Sequence, residues 1–127
     1  RLEDWINRGK EGKFVLKRIK NSTKILTTQG IEKMKRIGMK YLGKDYDFKF
    51  QWSDDKIYCS ELVWKIYKEA FNIEIGQLEK FSNFDLSNEL VKNKINERYS
   101  DNIPMDEFVI TPDRMFKAEN LITIAHK

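Results

Sequence analysis

Ile57-Tyr58-Cys59-Ser60-Glu61-Leu62-Val63-Trp64-Lys65-Ile66-Tyr67-Lys68-Glu69-Ala70-Phe71-Asn72 holds the single cysteine of this 127-residue chain. The spacing predicts a helix from about Tyr58 to Asn72, with Cys59, Leu62, Val63, Ile66 and Ala70 on one stripe and Glu61, Lys65 and Lys68 away from it. Cys59 falls in the first turn, on the predicted buried side. That position leaves two readings open. Unsatisfied backbone N–H groups and the positive end of the helix dipole favour a reactive thiolate, whereas free cysteine often packs as a small hydrophobe.

The neighbours of Cys59 carry similar pairs of readings. Tyr58 and the Cys59 backbone N–H are candidate donors to a developing oxyanion, while an aromatic at position 58 also suits packing. Glu61 either orients a partner or forms a surface i, i+4 pair with Lys65. Just upstream, Asp54-Asp55 marks a turn, and Tyr46, Phe48 and Phe50 alternate with polar residues in the period of a half-buried strand. Tyr46 and Asp47 are candidates for the edge of a site around Cys59 or for turn and core packing.

Further out, Leu2 to Arg8 reads as a short helix or turn closed by Gly9, and Phe14 to Ile19 as a strand. A helix starts at Thr28 as N-cap, carries Ile31, Met34, Gly38, Tyr41 and Leu42 at helical spacing, and ends at Gly43. Ser87 or Asn88 caps a helix through Tyr99, with Leu90, Val91, Lys94, Ile95 and Arg98 at helical spacing. Phe108 to Ile110 is a short strand. Thr111-Pro112-Asp113 combines a capping hydroxyl, proline at the first helical position and a carboxylate near the positive end of the dipole. Leu121 to Ala125 is a last strand. Helices and strands in this mixed, segregated order give the α+β class.

Composition narrows the function. Leu, Ile, Val and Phe number 35 of 127 residues, enough for a core. One cysteine excludes an internal disulfide and a four-thiolate zinc site, and the lone His126 excludes two-histidine metal patterns, so no metal or cofactor is expected. Residues 1–49 hold 14 Lys or Arg against 6 Asp or Glu, while residues 50–127 hold 10 against 14. A basic half suits a solvated face or an anionic partner. The sequence shows no metal-finger spacing, no aromatic RNA platform and no basic stripe in the acidic half, so no nucleic-acid partner is expected.

Tyr41-Leu42-Gly43-Lys44-Asp45-Tyr46-Asp47-Phe48, Trp52-Ser53-Asp54-Asp55 and Tyr58-Cys59-Ser60-Glu61-Leu62-Val63-Trp64 together resemble the core signature of the YiiX-like family. These are circularly permuted, papain-like cysteine hydrolases related to the NlpC-type cell-wall amidases. The likeness continues through Phe84-Asp85-Leu86-Ser87-Asn88, Glu97-Arg98-Tyr99, Asn102-Ile103-Pro104 and the Pro112 helix, so it spans essentially the whole chain.

The resemblance implies a permuted papain-like core with Cys59 as nucleophile on a central helix packed on an antiparallel sheet. It also implies a base histidine and an orienting acid that precede the cysteine, and no histidine lies upstream of Cys59 here. His126 is penultimate and not expected to serve. Residues 1–127 are therefore expected to be the C-terminal part of a single domain whose N-terminal strands, and the base on them, are missing. The expected reaction is hydrolysis of an amide or ester bond in a peptide, amino-acyl or lipid-linked substrate, in the cell envelope or periplasm. The alternative is a non-catalytic binding module whose basic surface engages an anionic lipid or polyanion.

Overall fold

A computed structural model describes residues 1–127 apart from Asn88 and Asp101 and the side chains of Leu2, Leu90, Val91 and Lys94. The elements are α1 (Leu2–Arg8), β1 (Val15–Ile19), α2 (Ser22–Ile25), α3 (Thr28–Met39), α4 (Cys59–Phe71), β2 (Glu79–Lys80), α5 (Glu89–Tyr99), β3 (Phe108–Val109), α6 (Pro112–Phe116) and β4 (Leu121–His126). Two antiparallel pairs form the sheets, β1 with β4 and β2 with β3. In the first, Val15 faces His126 and Ile19 faces Leu121, with a bulge between Leu16 and Lys17. The architecture is α+β, as the alternation of patterns implies.

Capping chemistry accounts for the helix ends. Thr111 Oγ1 accepts from Arg114 N at 3.2 Å, and Pro112 occupies the first turn of α6. Thr27, one residue before the predicted cap, starts α3 by accepting from Gly30 N at 3.1 Å. That helix stops at Lys40, so Tyr41 and Leu42 lie in the following turn, and Gly43 (φ +84°) shapes that turn instead of capping the helix. Of the two caps proposed for α5, Asn88 lies outside the described residues, as do the side chains of Leu90, Val91 and Lys94; Ile95 is buried and Arg98 exposed.

Helix α3 packs against α4. A Cβ at Gly30 would stand 2.4 Å from Ile25 O and 3.2 Å from the Phe71 ring, so only glycine permits this approach. The main core joins Tyr58, Trp64, Phe81, Ile95, Val109 and Ile110. Edge-to-face pairs stiffen it: Trp52 with Trp64 at 5.3 Å, Phe50 with Tyr58 at 5.2 Å, and Phe81 with Tyr99 at 5.5 Å between centroids.

Two sequence expectations are corrected. Tyr46, Phe48 and Phe50 form no strand; the segment makes a single parallel bridge, Tyr46 to Ile57. The reason is Asp47, whose buried carboxylate accepts from Lys49 N at 2.8 Å and Gln51 N at 2.7 Å, winding the chain into a turn with Phe50 at φ +49°. The second correction concerns α4, whose buried face carries Ser60, Glu61, Trp64 and Ala70, while Cys59 is exposed. Of the expected stripe only Ala70 is buried: Leu62 and Ile66 are half-buried, Cys59 and Val63 are exposed and line a cavity, and Glu61, expected on the opposite face, is fully buried.

Gly76 sits at φ +81°, and its carbonyl accepts from Trp64 Nε1 at 3.1 Å. An added Cβ would lie 2.9 Å from Arg114 O. Gly76→Ala is expected to destabilise the fold by about 2 kcal/mol, read as a lower denaturant midpoint with unchanged slope; an unchanged midpoint would contradict this packing.

Candidate active site

Cys59 is the first residue of α4, with Tyr58 as N-cap. The first intrahelical bond runs from Leu62 N to Tyr58 O at 3.0 Å, so the N–H groups of Cys59, Ser60 and Glu61 precede the helical ladder and give this end its positive character. The side chains beside the thiol are both tied to one residue. Tyr58 Oη accepts from Ile110 N at 3.1 Å, and Ser60 Oγ donates to Ile110 O at 2.7 Å. Gripped on either side, the turn cannot roll, and the thiol between the grips faces outward.

Beneath the turn lies a charged cluster. Glu61 Oε2 accepts from Tyr58 N at 3.3 Å, and Lys65 Nζ stands 2.8 Å from Glu61 Oε1. Glu61 is fully buried and the Lys65 side chain 14% exposed, so this is no surface pair, contrary to the sequence expectation. The i, i+4 spacing is as anticipated, but the face is the inner one. Lys65 also reaches Asp54 Oδ1 at 2.8 Å and Ser53 O at 2.7 Å, and lies over the Trp52 ring at 5.0 Å. Burial pushes the Glu61 carboxyl above the usual range despite the opposing pull of Lys65.

Of the remaining candidates, Tyr46 lies closest to the sulfur, its Oη donating toward Cys59 Sγ at 4.0 Å. Asp47 is spent on the Lys49 and Gln51 amides. The Tyr58 hydroxyl, an expected oxyanion donor, is engaged as acceptor from Ile110 N. His126 is exposed at the end of β4.

Two cavities meet at Cys59, Ser60 and Pro112. One, of about 590 Å³, is walled mainly by aromatic and aliphatic groups, among them Phe50, Phe81, Phe84, Leu86 and Tyr99. The other, of about 560 Å³, lies between α4, α6 and β1. His126 lines neither. Sequence reasoning missed the anchor at Ile110, because a bond across 50 residues leaves no local pattern. The Asp47 turn is one of the two readings the sequence leaves open for that residue, and the aspartate itself is its signal.

Among the described residues, no group of three or more His, Cys, Asp or Glu side chains is placed to hold a metal ion, and no helix is long and apolar enough to cross a membrane.

Comparison with known proteins identifies the setting. The family model of the permuted papain-like amidases, YaeF/YiiX, C92 family, matches residues 1–125. The uncharacterized protein YiiX of Escherichia coli K12 is 43% identical over 124 residues, which are 98% of this chain and 60% of that protein. The chain thus spans about 60% of the length of this curated relative. A crystal structure titled metalloprotein YiiX, from Escherichia coli O157:H7, matches with a TM-score of 0.88 and 44% identity over 99% of this chain and 68% of the other. The α+β fold with antiparallel sheets is therefore that of YiiX.

Lys65→Met leaves the buried Glu61 unpaired and is expected to cost about 3 kcal/mol. The double variant Glu61→Gln, Lys65→Met should recover part of that loss in denaturant melts; equal costs would show that the pair is not coupled. A second check uses pH. Burial raises all five tyrosine hydroxyls above their ordinary 10.0, Tyr99 to about 12. An acid whose pKa is raised by folding contributes stability below its unfolded value and loses it as pH climbs through the folded one. Tyrosinate absorbance should therefore lag that of the unfolded chain at pH 10, with the melting temperature falling above it. Coincident titration curves would contradict the burial of these rings.

Proposed function

The chain belongs to the permuted papain-like amidase family, and from that premise we propose that it is the Cys59-bearing C-terminal part of a papain-like cysteine hydrolase domain acting on an amide or ester. One observation carries the reading: an exposed thiol at the first position of α4, at the meeting point of two cavities. A base takes the thiol proton, and the thiolate attacks the acyl carbon. The tetrahedral oxyanion faces the first-turn N–H groups, including that of Cys59; as it collapses, the amine or alcohol leaves with the proton held by the base, and water then hydrolyses the thioester, releasing the acid and restoring the thiol. Tyr46 Oη, donating toward the sulfur, steadies the thiolate. Tyr58 and Glu61 hold the turn in place.

The base and its orienting acid are assigned to residues outside these 127. Supporting this, His126 lies on neither cavity, and the relative YiiX is longer than the region matched. The aromatic wall beside the thiol favours a lipid-linked or other acyl substrate over a cell-wall peptide, because apolar surface gains most from burying an apolar chain.

In the full-length protein, Cys59→Ala is expected to lower the hydrolysis rate by at least about a thousandfold while circular dichroism stays unchanged. His126→Ala is expected to keep the wild-type rate. Persistence of activity in Cys59→Ala would remove the assignment, and loss of activity in His126→Ala would relocate the base.

A further inference from the structure

The polar groups lining the larger cavity can be accounted for one by one. Tyr58 Oη and Ser60 Oγ are bound to Ile110. Thr111 Oγ1 caps α6, Tyr99 Oη donates to Lys49 O, and Tyr46 Oη points at the thiol. Asp85 Oδ1 accepts from Ser87 N at 2.9 Å, and the Ser87 hydroxyl, with this backbone bond, holds its carboxyl below the usual range. One group remains. The Arg98 guanidinium carbon stands over the Phe50 ring, 4.7 Å from its centroid, and among the described residues no carboxylate pairs with it. Phe50 in turn packs edge-on against Tyr58, the residue before Cys59.

An incoming molecule therefore meets in this cavity a thiol, an apolar wall, the Asp85 carboxylate, which already accepts from Ser87, and the Arg98 cation, which has no carboxylate partner among the described residues. A guanidinium stacked on an aromatic face keeps its edge N–H groups free to form two parallel bonds to a carboxylate or phosphate. Stacking also removes much of the rotamer freedom that an exposed arginine would otherwise lose on binding.

We propose that Arg98 is a specificity-determining residue that anchors the anionic group of an amphiphilic substrate, whose acyl carbon lies at Cys59 and whose chain lies against the aromatic wall. The substrate class is an acyl chain carrying a carboxylate or phosphodiester. This inference rests on the proposed function for the acyl carbon's position. The anionic anchor itself is independent of catalysis.

The test uses full-length protein carrying Cys59→Ala, which cannot turn over, with Arg98 intact or replaced. Two probes of equal chain length are titrated calorimetrically below their micelle concentrations: N-dodecanoylglycine, which carries a carboxylate, and N-dodecanoyl methylamine, which does not. With Arg98 intact, the charged probe should bind about tenfold more tightly, the size expected of one charge-assisted contact at a partly exposed site. Arg98→Gln should remove that preference and leave the neutral probe unchanged, and Arg98→Lys should restore part of it.

Equal binding of both probes to protein with Arg98 intact would overturn the anchor. So would an equal loss for both in Arg98→Gln, which would mark a structural role, or the binding of neither. N-acetylglycine, bearing the same carboxylate without the chain, should bind far more weakly; equal affinity would reduce the site to a free-anion site. If the preference holds but wild-type protein hydrolyses neither probe, the anchor stands and the hydrolytic reading loses its support.

Discussion

Ile110 is held at both ends of its peptide unit by the two side chains that flank the cysteine. Its N–H donates to Tyr58 and its C=O accepts from Ser60, and the residue itself is completely inaccessible to solvent. Because both partners sit in the N-terminal turn of α4, this pair of bonds fixes the helix in rotation and in depth. Single hydrogen bonds of this kind contribute on the order of 1 kcal/mol each to stability. Their larger effect is geometric: with Ser60 and Glu61 turned inward, residue 59 must face out. The edge-to-face ring contacts around Tyr58 and Trp64 then pack around a turn whose orientation is already set.

The same turn buries a carboxylate, which by itself would be costly. Taking Glu61 out of water is tolerated only because Lys65 lies one turn on and the Tyr58 N–H fills a remaining acceptor position. Lys65 is shared with Asp54 and Ser53, so the loop before α4 is bound to the helix through one ammonium group. Loop and helix start thus move as a unit. Rigidity of this sort suits a nucleophile, whose reacting atom must be held within a fraction of an ångström of its productive position. The apolar cavity and the positive end of the helix meet at that atom; in the proposed reaction one gives the substrate a place to lie and the other a place for charge to develop.

Much of the framework is legible in the residues. Thr111-Pro112 announces a helix start because hydroxyl capping and a fixed proline φ act locally. The cysteine-bearing helix is equally readable, and so are the terminal strands. What is missed depends on burial by distant parts of the chain, or on a side chain that competes for the nearby backbone. Glu61 and Lys65 look like a solvated pair because spacing reports that two side chains meet and says nothing of what covers them. The alternation of Tyr46, Phe48 and Phe50 imitates a strand, and the Asp47 carboxylate overrides it by offering the backbone a competing set of bonds. Arg98 reads as one more helical position; only the structure places its guanidinium over Phe50 at the cavity wall, with no carboxylate partner among the described residues.

The central claim is that the Cys59 sulfur is the atom that takes up an acyl group. Its most direct measurement is intact-mass analysis of the full-length protein quenched in acid during turnover of an acyl ester probe, with the modified peptide sequenced. An acyl adduct on Cys59 is expected to accumulate and then disappear as water resolves it. An adduct on another residue, or turnover with the acyl group always found in product and never on the protein, would contradict the claim.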